Sequence, residues 1–173
     1  VTSGALTNIL ITNPGTDYTS FPAIALVGAG PVTAATLGTP VITNNTSGGL
    51  TKLGIGSLTL TATSTYSGPT TVSNGILALT GTASFDNSQL IAVQTGATLS
   101  VTGRTDGTLA IGTNRTLTGA GTVIGIVNND GNVSPGFSPG LLTITGDYNQ
   151  TNGTLNIELA GTTKGTQYDS LTI

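Results

Sequence analysis

The feature that most constrains this chain is a short unit that recurs from Leu50 onward. Leu58-Thr59-Leu60-Thr61, Gly75-Ile76-Leu77-Ala78-Leu79, Ala97-Thr98-Leu99-Ser100-Val101, Gly107-Thr108-Leu109-Ala110-Ile111, Gly121-Thr122-Val123-Ile124 and Gly153-Thr154-Leu155-Asn156-Ile157 share one grammar. A glycine or other small residue turns the chain, and apolar residues then alternate with small polar ones, the period of a half-buried strand. The units are too short and too close together for helical crossovers. Helix formers do not cluster, and Gly or a turn signal interrupts nearly every stretch of ten residues. Two all-β architectures fit such units. Coils of a parallel β-helix would stack the apolar positions into one continuous column. An antiparallel sandwich would use turns at similar intervals, but it calls for consistent Asn-Gly hairpin signals, and only Asn74-Gly75 and Asn152-Gly153 supply one. The solenoid is therefore the expected fold. At roughly 20 residues per coil and about 4.8 Å between coils, residues 50–173 should form about six coils and a rod about 30 Å long.

Composition decides whether such a chain folds at all. Of its 173 residues 6% are charged, against about a quarter in ordinary domains, yet 36% are hydrophobic. A disordered chain of this polarity would carry more charge or proline and less Val, Ile and Leu. Threonine, the commonest residue, suits a strand through its branched Cβ and keeps a solvent face wet without a net charge. Residues 1–46 follow another grammar. Leu6 to Thr12, Tyr18 to Val27 (interrupted by Pro22) and Val32 to Ile42 read as strands between the turns Asn13-Pro14-Gly15 and Gly28-Ala29-Gly30-Pro31. They are expected to form a small antiparallel β module or cap. The polar junction Asn44-Asn45-Thr46-Ser47-Gly48-Gly49 separates it from a repetitive solenoid over 47–173.

The segment from Gly49 to Thr61 (Gly-Leu-Thr-Lys-Leu-Gly-Ile-Gly-Ser-Leu-Thr-Leu-Thr), followed by Tyr66-Ser67-Gly68, Thr70-Thr71-Val72 and Gly75-Ile76-Leu77, resembles the passenger-associated repeat of autotransporters. The stretch Val133-Ser134-Pro135-Gly136-Phe137-Ser138-Pro139-Gly140-Leu141-Leu142-Thr143-Ile144, with Asp147-Tyr148 and Leu155 to Leu159, is similar to sequences late in many such passengers. The resemblance covers most of residues 49–173. It implies a right-handed parallel β-helix at the bacterial cell surface. The family's membrane β-barrel is not among these residues, and residues 1–46 resemble nothing in the repeats.

The residues available for chemistry are few. Without His or Cys there is no conventional triad, no disulfide and no histidine- or thiolate-based metal site. The acids are Asp17, Asp86, Asp106, Asp130, Asp147, Glu158 and Asp169. Asp130 and Asp147 could face each other across a coil, but each sits in a turn, where Asx chemistry is reason enough for it. Arg104 and Arg115 are the candidates for the basic residue of a β-helix lyase; with no acidic cluster beside them they read as isolated surface charges. Asn128-Asn129-Asp130-Gly131-Asn132 crowds oxygen ligands around a turn, but it lacks the terminal Glu of an EF-hand and the repeated nonapeptide of a calcium-loaded β-roll. Gly28-Ala29-Gly30 opens no helix and is not a dinucleotide loop. Tyr18, Tyr66, Tyr148 and Tyr168 are spread along the chain and read as covers for turns and core. The Asn-x-Ser/Thr sequons at Asn44, Asn114, Asn132, Asn149 and Asn152 are of a kind expected by chance at this composition.

No catalytic, cofactor-binding or metal residue is therefore assigned. A net charge of -3 offers no footprint for nucleic acid, and no apolar run approaches the roughly 18 residues of a membrane helix. With neither initiator Met nor signal peptide, the chain reads as a mature or internal piece. The expected function is a non-catalytic, extracellular, structural solenoid: a segment of a bacterial surface protein, or a filament subunit that associates end to end. An adhesin that binds glycan or host protein through a rod face is the alternative, and a polysaccharide-degrading enzyme fits less well. Tyr168 to Ile173 carries a strand pattern with one acid to blunt it, so either continuing coils or another subunit is expected there.

Overall fold

The computed structural model describes residues 48–173; the expected module over 1–46 and its boundary lie outside the described residues. These residues build a β-solenoid of fifteen strands, and no helix occurs among them. The first face stacks β1 (Leu50–Lys52), β3 (Thr70–Val72), β5 (Leu90–Val93), β8 (Thr116–Gly119), β11 (Asn132–Pro135) and β14 (Thr154–Leu155). The second stacks β2 (Ser57–Leu60), β4 (Ile76–Gly81), β6 (Thr98–Arg104), β9 (Thr122–Ile124), β12 (Leu141–Thr145) and β15 (Ser170–Thr172). A third face holds only β7 (Thr108–Ile111), β10 (Ile126–Asn129) and β13 (Tyr148–Gln150).

Every strand pairing is parallel, which excludes the antiparallel sandwich. The six-stranded sheets contain five intervals, so they span about 24 Å rather than the full six coils expected. Coil length also varies more than a fixed repeat implies. Leu117 pairs with Ile91 on one side and with Val133 on the other, which makes one coil much longer than the next. The corners absorb the difference, while the pairing stays in register apart from a bulge between Ala78 and Thr80.

The alternation read from the sequence is what fills the interior. On the second face Leu58, Leu77, Leu99, Val123 and Ile144 form one column, and on the first Ile91, Leu117, Val133 and Leu155 form another. Leu77, Leu99, Val123, Ile91, Leu117 and Val133 are completely buried. At about 1.5–3 kcal/mol per buried aliphatic side chain, these columns are the main driving force for coiling. The outward positions carry Thr98, Thr122, Thr143 and Thr172 in one aligned row. Outward asparagines add rungs of their own: Asn149 donates to Asn128 at 2.9 Å and Asn156 to Asn132 at 2.9 Å.

One buried hydroxyl interrupts the apolar columns. Thr70, fully buried, sits in register between Leu50 and Ile91. Its hydroxyl donates to Ser88 Oγ at 2.9 Å and lies 2.8 Å from the Tyr66 hydroxyl. Ser88 passes its own proton to the Gly68 carbonyl at 2.8 Å, so the relay ends on the backbone and no polar atom is stranded.

Candidate functional site

The third face begins only at β7, because the corresponding stretches of the first two coils, 61–69 and 82–89, are irregular. The edge of β7 that faces the second coil thus has no strand to pair with. A cleft of about 260 Å³ opens there, lined by Leu79, Phe85, Leu109 and the charged groups Asp86, Arg104, Asp106 and Arg115.

The two arginines are not the isolated surface charges expected: Arg104 pairs with Asp106 two residues on, and the coil brings Asp86 to Arg115. Arg115 is buried, with its guanidinium 5.7 Å from the centre of the Phe85 ring. Its Nε donates to the Ser88 carbonyl at 3.0 Å, Nη2 to the Phe85 carbonyl at 3.3 Å, and Nη1 to the Ala110 carbonyl of β7 and to Asp86 Oδ1 at 3.3 Å. The planar fork thus spans the gap where a strand would have paired, and it takes carbonyls from both sides. Burial lowers its pKa from the ordinary value and Asp86 offsets part of that, but an arginine retains its charge regardless. Arg104 grips Asp106 with two bonds, Nε to Oδ1 at 3.0 Å and Nη2 to Oδ2 at 3.1 Å, while Nη1 reaches the Ala83 carbonyl. Asp106 in turn accepts the Thr108 amide at 3.0 Å, which blunts the free edge of β7. The Arg104 guanidinium, and after it the Thr108 amide, hold the Asp106 carboxyl far below the usual carboxylate range.

Two further charges lie inside the architecture. Lys52, which sequence reading passed over, is buried, and its ammonium donates to the carbonyls of Leu53 at 2.8 Å, Gly54 at 2.7 Å and Asn74 at 3.1 Å. Three N–H groups meet three carbonyls, and the corner between β1 and β2 is pinned to the coil below. Asp169 does not blunt an exposed edge, as expected, but is buried. Its carboxylate accepts the Gly140 amide at 2.7 Å and the Glu158 amide at 3.0 Å, tying the Pro135-to-Gly140 corner to the last coil. That corner needs a partner: Ser138 there holds a φ of 102°, rare outside glycine. A lysine ahead of Gly-x-Gly was the available signal for the first group; nothing local marks the second.

The remaining candidates are dispersed. Asp130 and Asp147 are exposed and Glu158 lies out on the last coil. In Asn128-Asn129-Asp130-Gly131-Asn132 the asparagines are spent on structure. Asn129, buried, donates to the Tyr148 hydroxyl at 2.9 Å and to the Thr154 carbonyl at 3.1 Å, and accepts the Gly131 amide at 3.1 Å. Tyr66 and Tyr148 pack against the core from different coils and form no common platform, and Tyr18 and Asp17 lie outside the described residues. Among the described residues, no three His, Cys, Asp or Glu side chains converge as metal ligands. The cleft carboxylates each face an arginine, so the arrangement offers hydrogen-bond donors and acceptors side by side.

No curated protein and no solved structure matches the chain. Residues 50–85, which hold the strands β1 to β4, the Lys52 corner and the Tyr66–Thr70 pair, match the family model described as the passenger-associated-transport-repeat.

Proposed function

We propose that this chain is a non-catalytic structural segment of a bacterial surface or secreted protein, a stiff spacer in the passenger region of a longer polypeptide. The observation that carries this reading is how its buried ionic groups are used. Lys52 and Arg115 are spent on backbone carbonyls and Asp169 on backbone amides, each at a corner or a sheet edge. The passenger-associated repeat at 50–85 supports a surface or exported location, and no helix among the described residues is long and apolar enough to cross a membrane. The test is the denatured mass of the native polypeptide that carries this sequence, before and after brief protease treatment of intact cells. A polypeptide much larger than 17.0 kDa that is cut from outside supports the spacer. A protease-protected protein would overturn it.

A second reading is a filament subunit. A discrete native mass close to 17.0 kDa, with concentration-dependent growth of rods, would favour that reading over the spacer.

A further inference from the structure

We propose that the cleft between the 82–89 loop and the free edge of β7 is a binding site for one neutral sugar ring. The chain has only 4 Lys and Arg and 7 Asp and Glu, yet four of these side chains line this one cleft. A guanidinium carries five N–H groups. Arg104 commits three of them, two to Asp106 and one to Ala83, and Arg115 commits four, so both retain donors among the described residues. The carboxylates beside them, with side chains 52% exposed at Asp106 and 68% at Asp86, retain acceptor capacity toward solvent. Spare donors next to spare acceptors match hydroxyl groups, each of which both gives and takes a hydrogen bond. A charged ligand fits less well. An anion would meet Asp86 and Asp106, a cation would meet both guanidiniums, and the four charges cancel. The volume of about 260 Å³ lies just under the range for drug-sized ligands and suits a single ring, with the exposed Ala110 as the apolar patch for its C–H face. Arg115 is already fixed in place by three carbonyls, so no side-chain ordering is needed there on binding.

The test is a titration of the isotope-labelled full chain with methyl glucoside, methyl galactoside and N-acetylglucosamine, followed by amide shifts. Glucuronate and glucosamine serve as the anionic and cationic counterparts. At least one neutral sugar should shift amides within 83–88 and 104–112 with a Kd of about 1–10 mM, and Arg104→Gln should weaken it about tenfold. Ala110→Gln, which fills the cleft from its exposed rim and leaves both ion pairs in place, should abolish the shifts in a chain whose remaining spectrum is unchanged. The proposal is overturned if no neutral sugar moves these amides. Tighter binding of glucuronate or glucosamine, or shifts that survive Ala110→Gln, would overturn it equally.

Discussion

Replacing Arg115 with methionine separates a carbonyl clamp from an ordinary salt bridge. The substitution keeps an aliphatic side chain but strips hydrogen-bond donors from the carbonyls of Phe85, Ser88 and Ala110. The Phe85 carbonyl still accepts the Ser88 amide, so two acceptors lose their partner; at about 1–3 kcal/mol for each unpaired acceptor the ceiling is roughly 6 kcal/mol. Two effects reduce that figure. The guanidinium's own desolvation penalty, several kcal/mol in a buried site, disappears with it. The adjoining cleft also lets water reach part of the gap. The net expectation is a loss of about 3–5 kcal/mol, comparable to breaking other buried ionic contacts. Asp86→Asn provides the contrast, because that carboxylate is 68% exposed and its bond to Nη1 is 3.3 Å long. It should cost under about 1 kcal/mol. Urea denaturation followed by circular dichroism gives the global loss. Amide exchange over 83–88 and 108–111 shows whether the damage stays local, as the near-neighbour energetics of solenoids require. If Arg115→Met falls within about 1 kcal/mol of wild type, or if Asp86→Asn costs as much as Arg115→Met, the clamp is not what holds the free edge of β7.

Lys52→Met should destabilise the first two coils by about 2–4 kcal/mol, because three charge-assisted bonds to carbonyls disappear together; loss of amide protection at β1 to β3 in exchange measurements is the check. Gly131→Ala places a methyl group against the carbonyl oxygens of Gly112 and Arg115 on the neighbouring coil, and an overpacking cost of about 3 kcal/mol should appear in the urea midpoint. Stability should be flat from about pH 5 to 9, since the chain has no His or Cys to titrate there. Below about pH 4 it should fall, because the Asp106 carboxyl is depressed in the folded state by Arg104 and its contribution is lost as acid protonates it. Solvent screening holds that contribution to about 1 kcal/mol or less, and Asp106→Asn should remove it from the acid limb of the urea curve. At the alkaline end burial raises Tyr66 and Tyr148, so their stabilising effect persists through about pH 10 and is lost only as they ionise above it; absorbance titration at the phenolate band should show them ionising later than free tyrosine.

The inward columns were legible because period-two alternation acts within a single strand: Leu77, Leu99 and Val123 announce themselves. β2, β4, β6, β7, β9 and β14 all fall on units read from the sequence. The coil lengths were not legible, because the register of Leu117 with both Ile91 and Val133 depends on how much chain each corner stores, and no local pattern encodes that. The cleft was hidden for the same reason. Arg115 and Asp86 are far apart in sequence and meet only once the second and third coils stack, whereas Asp106, two residues from Arg104, was in view and its pairing was passed over. Asp169, too, looks like an exposed terminal acid until its two amide partners on the Gly140 corner and the last coil are in place.

The all-parallel pairing has a consequence for how such a chain reaches its native state. A hairpin protein can begin folding from one tight turn, whereas among the described residues no strand of a sheet has its ladder partner until a whole coil has passed. The first event must therefore close two coils at once, a slow nucleus dominated by loop-closure entropy. After that every new coil finds a finished edge within a single coil of chain, and growth resembles a zipper advancing in one direction. A chain that emerges end-first from a ribosome or a narrow pore could thus fold in the order in which it appears. An interruption would leave an intact stack trailing an uncoiled tail instead of a globally misfolded protein.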